Sequence, residues 1–373
     1  MWETTPTRIL SFSYGCFVGA EPPFLVPFKT RVVISRQCCT LDPMKTVVFV
    51  KQPTRLVDDH SERFVSALDE LDLDAARRVP KSDLHNHGAL GMRYASLAKI
   101  EPKVTPPLPS FGSLKRFLTW TAGEMRRISR DAKTGPRLFQ AAVEDAIADG
   151  VTVLEMSFDL GIARALGHPD NFARMAADLR DKYADYIRLR PEIGVKKTDD
   201  ASTGNDYLVA LIDCGVFESI DLYGAEIFPL LLGRWKRLYR LAGERGLKLK
   251  AHLGEAQSPF GLIFVAERLG LSAIQHGISF ARSPRALAWA RKRRVPFNVC
   301  PASNISLGAV ASWEDHPLRK MFDAGLCITI ATDDLVAFGL SVSEQFVELR
   351  RRGLFTSAEL DLIRLMGLGI KKN

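Results

Sequence analysis

From residue 137 onward the apolar positions of this chain keep two alternating rhythms. A stretch with helical periodicity, 137–148, closes at Gly150 and gives way to 151–156, a short β-branched and apolar run that reads as a strand. The exchange recurs: helix 171–186 runs into Ile187, Leu189 and 193–195, helix 207–214 into 216–222, and helix 227–245 into 247–251. Helix 261–269 leads into 273–274, helix 284–292 into 295–299, and helix 317–324 into 326–330. The run ending on His85 brings the expected strands to eight. Helices alternating with eight strands predict a parallel (β/α)8 barrel, which keeps its functional residues at the C-terminal ends of its strands.

Ahead of that rhythm the pattern is less regular. Residues 1–43 show no helical period and carry Pro22-Pro23 and Cys38-Cys39, so they read as an extension that the barrel, 44–373, does not require. Met44 is a candidate alternative start. Phe64, Leu68, Leu71 and Leu73 predict one amphipathic helix over 61–78, ended by Pro80. The proline-rich 102–110 must be a loop. Helix 114–128 places Leu114, Phe117, Leu118, Thr121 and Met125 on one face, expected to pack in the core, with a substrate-facing lid as the alternative. A last helix is expected over 357–366.

Composition narrows the class of partner. With 373 residues, 46% hydrophobic and 25% charged, the chain can bury one large core or two modest ones. The net charge of +8 gathers partly in 291–294 and 350–352, which read as solvated helix faces; without aromatic interleaving they do not predict nucleic-acid binding. A basic surface would still attract a phosphorylated substrate. Cys16, Cys38, Cys39, Cys214, Cys300 and Cys327 show no CxxC pairing and read as buried thiols of a reducing, cytoplasmic compartment. No apolar run reaches the ~18 residues of a membrane helix, and the interrupted 9–20 is a poor secretion signal.

The polar residues at the predicted strand ends carry the chemistry. His85 and His87 are two apart, so a strand presents both imidazoles to one side. His252 ends the fifth strand, His276 follows the sixth, and Asp333 and Asp334 follow the eighth. Four of the seven histidines thus fall where a barrel keeps its site, while His60, His168 and His316 read as surface residues. Three imidazoles and a carboxylate suit Zn2+, which assigns His85, His87, His252 and Asp333 to one metal and leaves a position open for water. Glu255, three residues past His252 across Leu253-Gly254, is the expected proton donor or acceptor. His276 is placed to orient or deprotonate the attacking water.

These residues resemble the adenosine deaminase family of the amidohydrolase superfamily. The stretch 80–87 is similar to its PKxxLHxH, 252–255 to its HAGE, His276-Gly277 to its HG, 300–304 to its CPxSN, and 332–334 to its TDD. The resemblance spans about 78–368. It implies a mononuclear zinc barrel that hydrolytically deaminates adenosine or a related 6-aminopurine nucleoside, and it makes Asp333 touch both zinc and nucleophile. It further implies Asp334 on the imidazole-ring nitrogen of the purine, the Gly224 backbone on its pyrimidine ring, and His87 against the substrate. The expected partner is thus a small purine nucleoside, not nucleic acid or a membrane. Leu222-Tyr223-Gly224 at the fourth strand's end offers no lysine for a second metal. Three departures bear on substrate: Ala89 stands where the family's HxHLDG has an acid associated with a ribose hydroxyl, Leu253 replaces the alanine of HAGE, and Leu335 replaces the proline that commonly follows TDD. A nucleotide or another substituted purine is therefore the alternative substrate, and a non-catalytic ligand-binding barrel the alternative class.

Overall fold

A computed structural model describes residues 59–370, apart from 164, 203–204, 225–227 and 256–257. The expectations for 1–43, Met44, the 9–20 run, Cys16, Cys38 and Cys39 lie outside the described residues. Eight parallel strands lie in sequence order: β1 (Lys81–His87), β2 (Val151–Asp159), β3 (Arg188–Lys196), β4 (Ser219–Tyr223), β5 (Lys248–His252), β6 (Ala273–Gln275), β7 (Phe297–Val299) and β8 (Ile328–Ile330). The (β/α)8 barrel expected from the pattern is the observed fold. Its first and last strands meet just beyond β8: Asp333 N–H donates to the His85 carbonyl at 2.8 Å, and His87 N–H donates to the Asp333 carbonyl at 3.2 Å. Three expected metal ligands therefore also close the barrel.

Local chemistry accounts for the element boundaries. Gly150 turns the chain from helix Gly135–Ala148 into β2 with φ of 75°, and a Cβ there would lie 1.8 Å from the Arg77 carbonyl oxygen, so only glycine fits. Helices Val342–Arg351 and Ser357–Leu368 each start with a capping box, Ser341 with Glu344 and Thr356 with Glu359. Two expected helices are broken. The 61–78 stretch is Asp59–Asp69 followed by Leu73–Arg77, because the chain reverses at Leu71, which takes a left-handed φ of 53° and is exposed. Within 227–245, Pro229–Trp235 is a 3-10 stretch and the α-helix is Lys236–Glu244.

The segment 114–128 is helical, but not a plain core helix. A π-helical turn, Thr121–Met125, interrupts Leu114–Trp120 and Arg126–Ser129. Phe117 and Met125 are buried, yet Leu118 is 37% exposed, and the face that includes all three borders a cavity at the barrel mouth. The lid alternative describes it better. Cys214 is exposed and Cys327 half-buried, so only Cys300 among the described cysteines is the buried thiol expected. The basic runs are solvated as expected and ion-paired: Arg293 with Glu267, Arg350 with Asp69, Arg351 with Glu348, and Arg352 with Glu314. Among the described residues no helix is long and apolar enough to cross a membrane.

Inside the barrel, most inward positions of β2 to β5 are polar. Glu155 is bonded by Arg190, Lys248 and Lys250, each within 2.8 Å. One layer up, Lys250 meets Glu192 at 2.5 Å, and the Ser219 hydroxyl donates to the same carboxylate. Burial opposes ionisation of Glu155, but Lys250 and Lys248 outweigh it and hold the carboxyl well below its usual range. Burial pushes Glu192 up to about 7 despite Lys250. This charged floor sits under the strand ends that carry the histidines.

Candidate metal and active site

His85, His87, His252 and Asp333 converge, with one potential ligand atom from each lying within 4.8 Å of all the others. His252 Nε2 is 3.1 Å from His85 Nε2 and 3.3 Å from His87 Nε2, while Asp333 Oδ1 is 3.5 Å and 3.4 Å from the same two nitrogens. Ligands about 2.0–2.1 Å from a tetrahedral ion are separated by about 3.3 Å, so this spacing matches one Zn2+ coordination sphere. Burial and the neighbouring histidines lower the pKa of His85 and His252, which keeps them neutral and free to ligate. Burial works the same way on His87, but Asp334, Asp159 and Asp333 outweigh it and draw positive charge to this cluster.

The supporting contacts set orientation. His252 Nδ1 lies 2.9 Å from Asp221 Oδ2 on β4, an ion-pair distance at which neither atom completes a hydrogen bond. The Ser303 hydroxyl donates to Asp333 Oδ2 at 2.6 Å. Asp333 itself holds a left-handed φ of 62°, a strain that the barrel closure compensates. A second donor group, His85, His276, Cys300 and Asp333, is also compact. Burial raises the Cys300 thiol far above its usual range, so it stays protonated 3.4 Å from His85 Nδ1 and is a poor ligand.

His276 is held in one tautomer by a chain of partners. Leu318 N–H donates to His316 Nδ1, so His316 Nε2 carries the hydrogen and donates to Asn304 Oδ1 at 3.2 Å. The Asn304 amide then donates to His276 Nδ1 at 3.1 Å, which leaves the proton on His276 Nε2. Burial lowers His316 to about 3 and His276 to about 4, so both rings are neutral near pH 7. His276 Nε2 is buried without a hydrogen-bond partner among the described residues, 3.7 Å from Asp333 Oδ2 and 3.9 Å from Glu255 Oε1. It presents an N–H to the gap between those carboxylates, the geometry of a donor rather than a base. His316, expected at the surface, is 5% exposed and belongs to this chain. The sequence around His316 gave no periodic signal that would have shown it.

Glu255 is buried, and burial raises its carboxyl above the usual range, with Lys197 opposing. Asp334 borders the cavity with Oδ1 unpartnered; burial and then Asp333 push it well up, so it tends to hold a proton. Gly224, at φ 93° where a side chain would be strained, also lines the cavity. Sequence reasoning missed Asp159 and Tyr223, the last residues of β2 and β4. Asp159 lies 3.8 Å from His87 Nδ1 and accepts from Ser157, and the Tyr223 ring is 5.0 Å from that of His87. Their strand-end positions were the available signal.

A barrel with a His3Asp cluster and a buried carboxyl beside it defines a metal-dependent hydrolase site of the amidohydrolase kind. A family model described as adenosine deaminase matches residues 98–370. The chain belongs to the adenosine deaminase family. It is 34% identical over 293 residues to a Treponema pallidum protein provisionally named as an adenosine/adenine deaminase, covering 78% of this chain and 98% of that one. Among solved structures, the adenine deaminase of Arthrobacter aurescens superposes with a TM-score of 0.68 at 22% identity, over 79% of this chain and 94% of that one. An amidohydrolase from Burkholderia ambifaria, solved with bound Zn, superposes with a TM-score of 0.66 at 22% identity, over 86% and 90%. The protein is thus a hydrolytic deaminase acting on carbon–nitrogen bonds of purines.

Proposed function

We propose that the chain is a zinc-dependent deaminase of adenosine or a related 6-aminopurine nucleoside, releasing ammonia in the cytoplasm. The observation that carries this reading is the tetrahedral spacing of His85, His87, His252 and Asp333 with the Glu255 carboxyl and the His276 N–H facing the same gap. Zn2+ is also the metal bound in the Burkholderia ambifaria neighbour. Held by those four residues, it supplies a Lewis acid that makes water a nucleophile near neutral pH.

The chain's own residues do the rest. Water adds to C6 of the purine as an O–C bond forms. Glu255, whose carboxyl burial raises above its usual range, gives a proton to N1. Asp333 takes the proton that the attacking water loses. The His276 N–H stabilises negative charge developing on that oxygen. The C6–N6 bond then breaks and the amino group leaves as ammonia with the proton from Asp333, while the C6–O–H proton passes to the Glu255 carboxylate as the C6=O bond forms, which restores Glu255 to its starting state. Asp334, holding a proton, donates to the imidazole-ring nitrogen of the purine, while Gly224 and the His87 edge border the ring. Ala89 also lines the cavity, without the acid that would bind a ribose hydroxyl.

Ammonia release by metal-replete protein across adenine, adenosine, adenosine nucleotides, N6-substituted adenosines and guanine tests this reading. Release from a 6-aminopurine nucleoside is the expected result. Release from guanine alone, or from none while one zinc stays bound per chain, would overturn it.

A further inference from the structure

The cavity above the histidines, about 440 Å3, is lined by charged side chains of both signs. Its acids, Glu255, Asp333, Asp334 and Asp159, all cluster with the histidines. Its remaining wall carries three cations, Arg126, Arg130 and Lys196. Arg126 and Arg130 are four residues apart at the end of the segment that follows the π-helical turn, so they share one face. Arg130 lies against the short helix Leu160–Ala163 that follows β2, where a Cβ on Gly161 would stand 3.8 Å from its Nε. Lys196 ends β3, the neighbour of β2 in the sheet, two residues past the partner of Asp159. All three are exposed, and among the described residues none is in an ion pair; the acid nearest Lys196 along the chain, Asp199, uses its carboxylate to accept the Lys196 backbone N–H. By contrast Arg127, which does not line the cavity, pairs with Glu101.

Three like charges left unpaired around one substrate cavity repel one another until an anion arrives. We infer that the substrate is a 6-aminopurine whose end remote from the amino group carries an anion, a phosphate monoester or a carboxylate, held by Arg126, Arg130 and Lys196. The inference rests on the proposed deamination for the identity of the base, and on these three residues for the anion. It also gives a physical reason for Ala89: binding energy assigned elsewhere to a ribose hydroxyl is supplied here by the charged group.

The test compares adenosine, adenosine 5′-monophosphate and adenosine 5′-carboxylate on zinc-replete wild type and on the triple variant Arg126→Gln, Arg130→Gln, Lys196→Gln. Wild type is expected to favour an anionic substrate over adenosine by at least about tenfold in kcat/KM at low salt, falling as salt rises. Preference for the phosphate or for the carboxylate identifies the anion. The variant is expected to lose most of that preference through KM, with a larger loss for the anion than for adenosine. Equal kcat/KM for adenosine and both anions in wild type, or equal losses for all three in the variant, would overturn the inference. If no substrate releases ammonia, the deamination reading fails separately, and calorimetric binding of inosine 5′-monophosphate against inosine decides the anion site. Tighter nucleotide binding that the variant loses would support it; equal binding of the two would overturn it.

Discussion

At the scale of single residues the site depends on where protons sit. The Leu318–His316–Asn304 chain sets the hydrogen on His276 Nε2, so His316 should act on catalysis without touching substrate. His316→Phe leaves Asn304 Oδ1 without its donor and should lower kcat by about tenfold, the scale of one neutral hydrogen bond. His316→Gln, whose amide can still donate, should recover most of that kcat with KM little changed in either variant. Steady-state kinetics on both variants checks this; equal kcat for the phenylalanine variant and wild type would show that the chain does not orient His276. The histidines at strand ends were legible because two-residue spacing and barrel topology place them. His316 was not, because burial of an isolated loop residue depends on which loop covers it and leaves no period in the sequence.

At the scale of elements, Asp83 fastens β1 to the turn after β8. Its carboxylate accepts the backbone N–H and the hydroxyl of Thr332 and the backbone N–H of His85. Burial raises Asp83 to about 7 from an ordinary 3.8, with those bonds opposing. For an acid raised on folding, the folded state binds more protons than the unfolded one between those values, so its contribution favours folding below pH 3.8 and fades as pH rises towards 7. Relative to Asp83→Asn, chelated wild type should lose up to about 1.4 kcal/mol of stability per pH unit within that window. Denaturant unfolding of both proteins from pH 4 to pH 7 measures it, and parallel pH profiles would refute the assignment. The eight strands were legible from the alternation of rhythms. The polar interior of β2 to β5 was not, since Glu155, Arg190, Glu192, Lys248 and Lys250 alternate with apolar residues as a half-exposed strand would, and only barrel closure turns that face inward. The broken helices at Leu71 and Pro229 were similarly hidden, because apolar spacing continues across both breaks.

At the scale of the whole molecule, the ligands that would hold the metal also join the ends of the barrel, so metal binding and folding are coupled. Removing the ion with a chelator should lower stability by about 3–4 kcal/mol relative to protein in free zinc at a hundred to a thousand times Kd. Calorimetric melting with and without chelator reads this, and re-addition of zinc should restore the transition; an unchanged melt would place the metal elsewhere. In the proposed mechanism Glu255 moves the proton while the His3Asp cluster holds the ion, and Glu255→Gln separates those roles. Ammonia release and bound zinc should be measured on the same preparation of this variant. The expected result is one zinc per chain, as in wild type, with kcat reduced about 100- to 10,000-fold. Turnover near the wild-type rate with zinc still bound would contradict it.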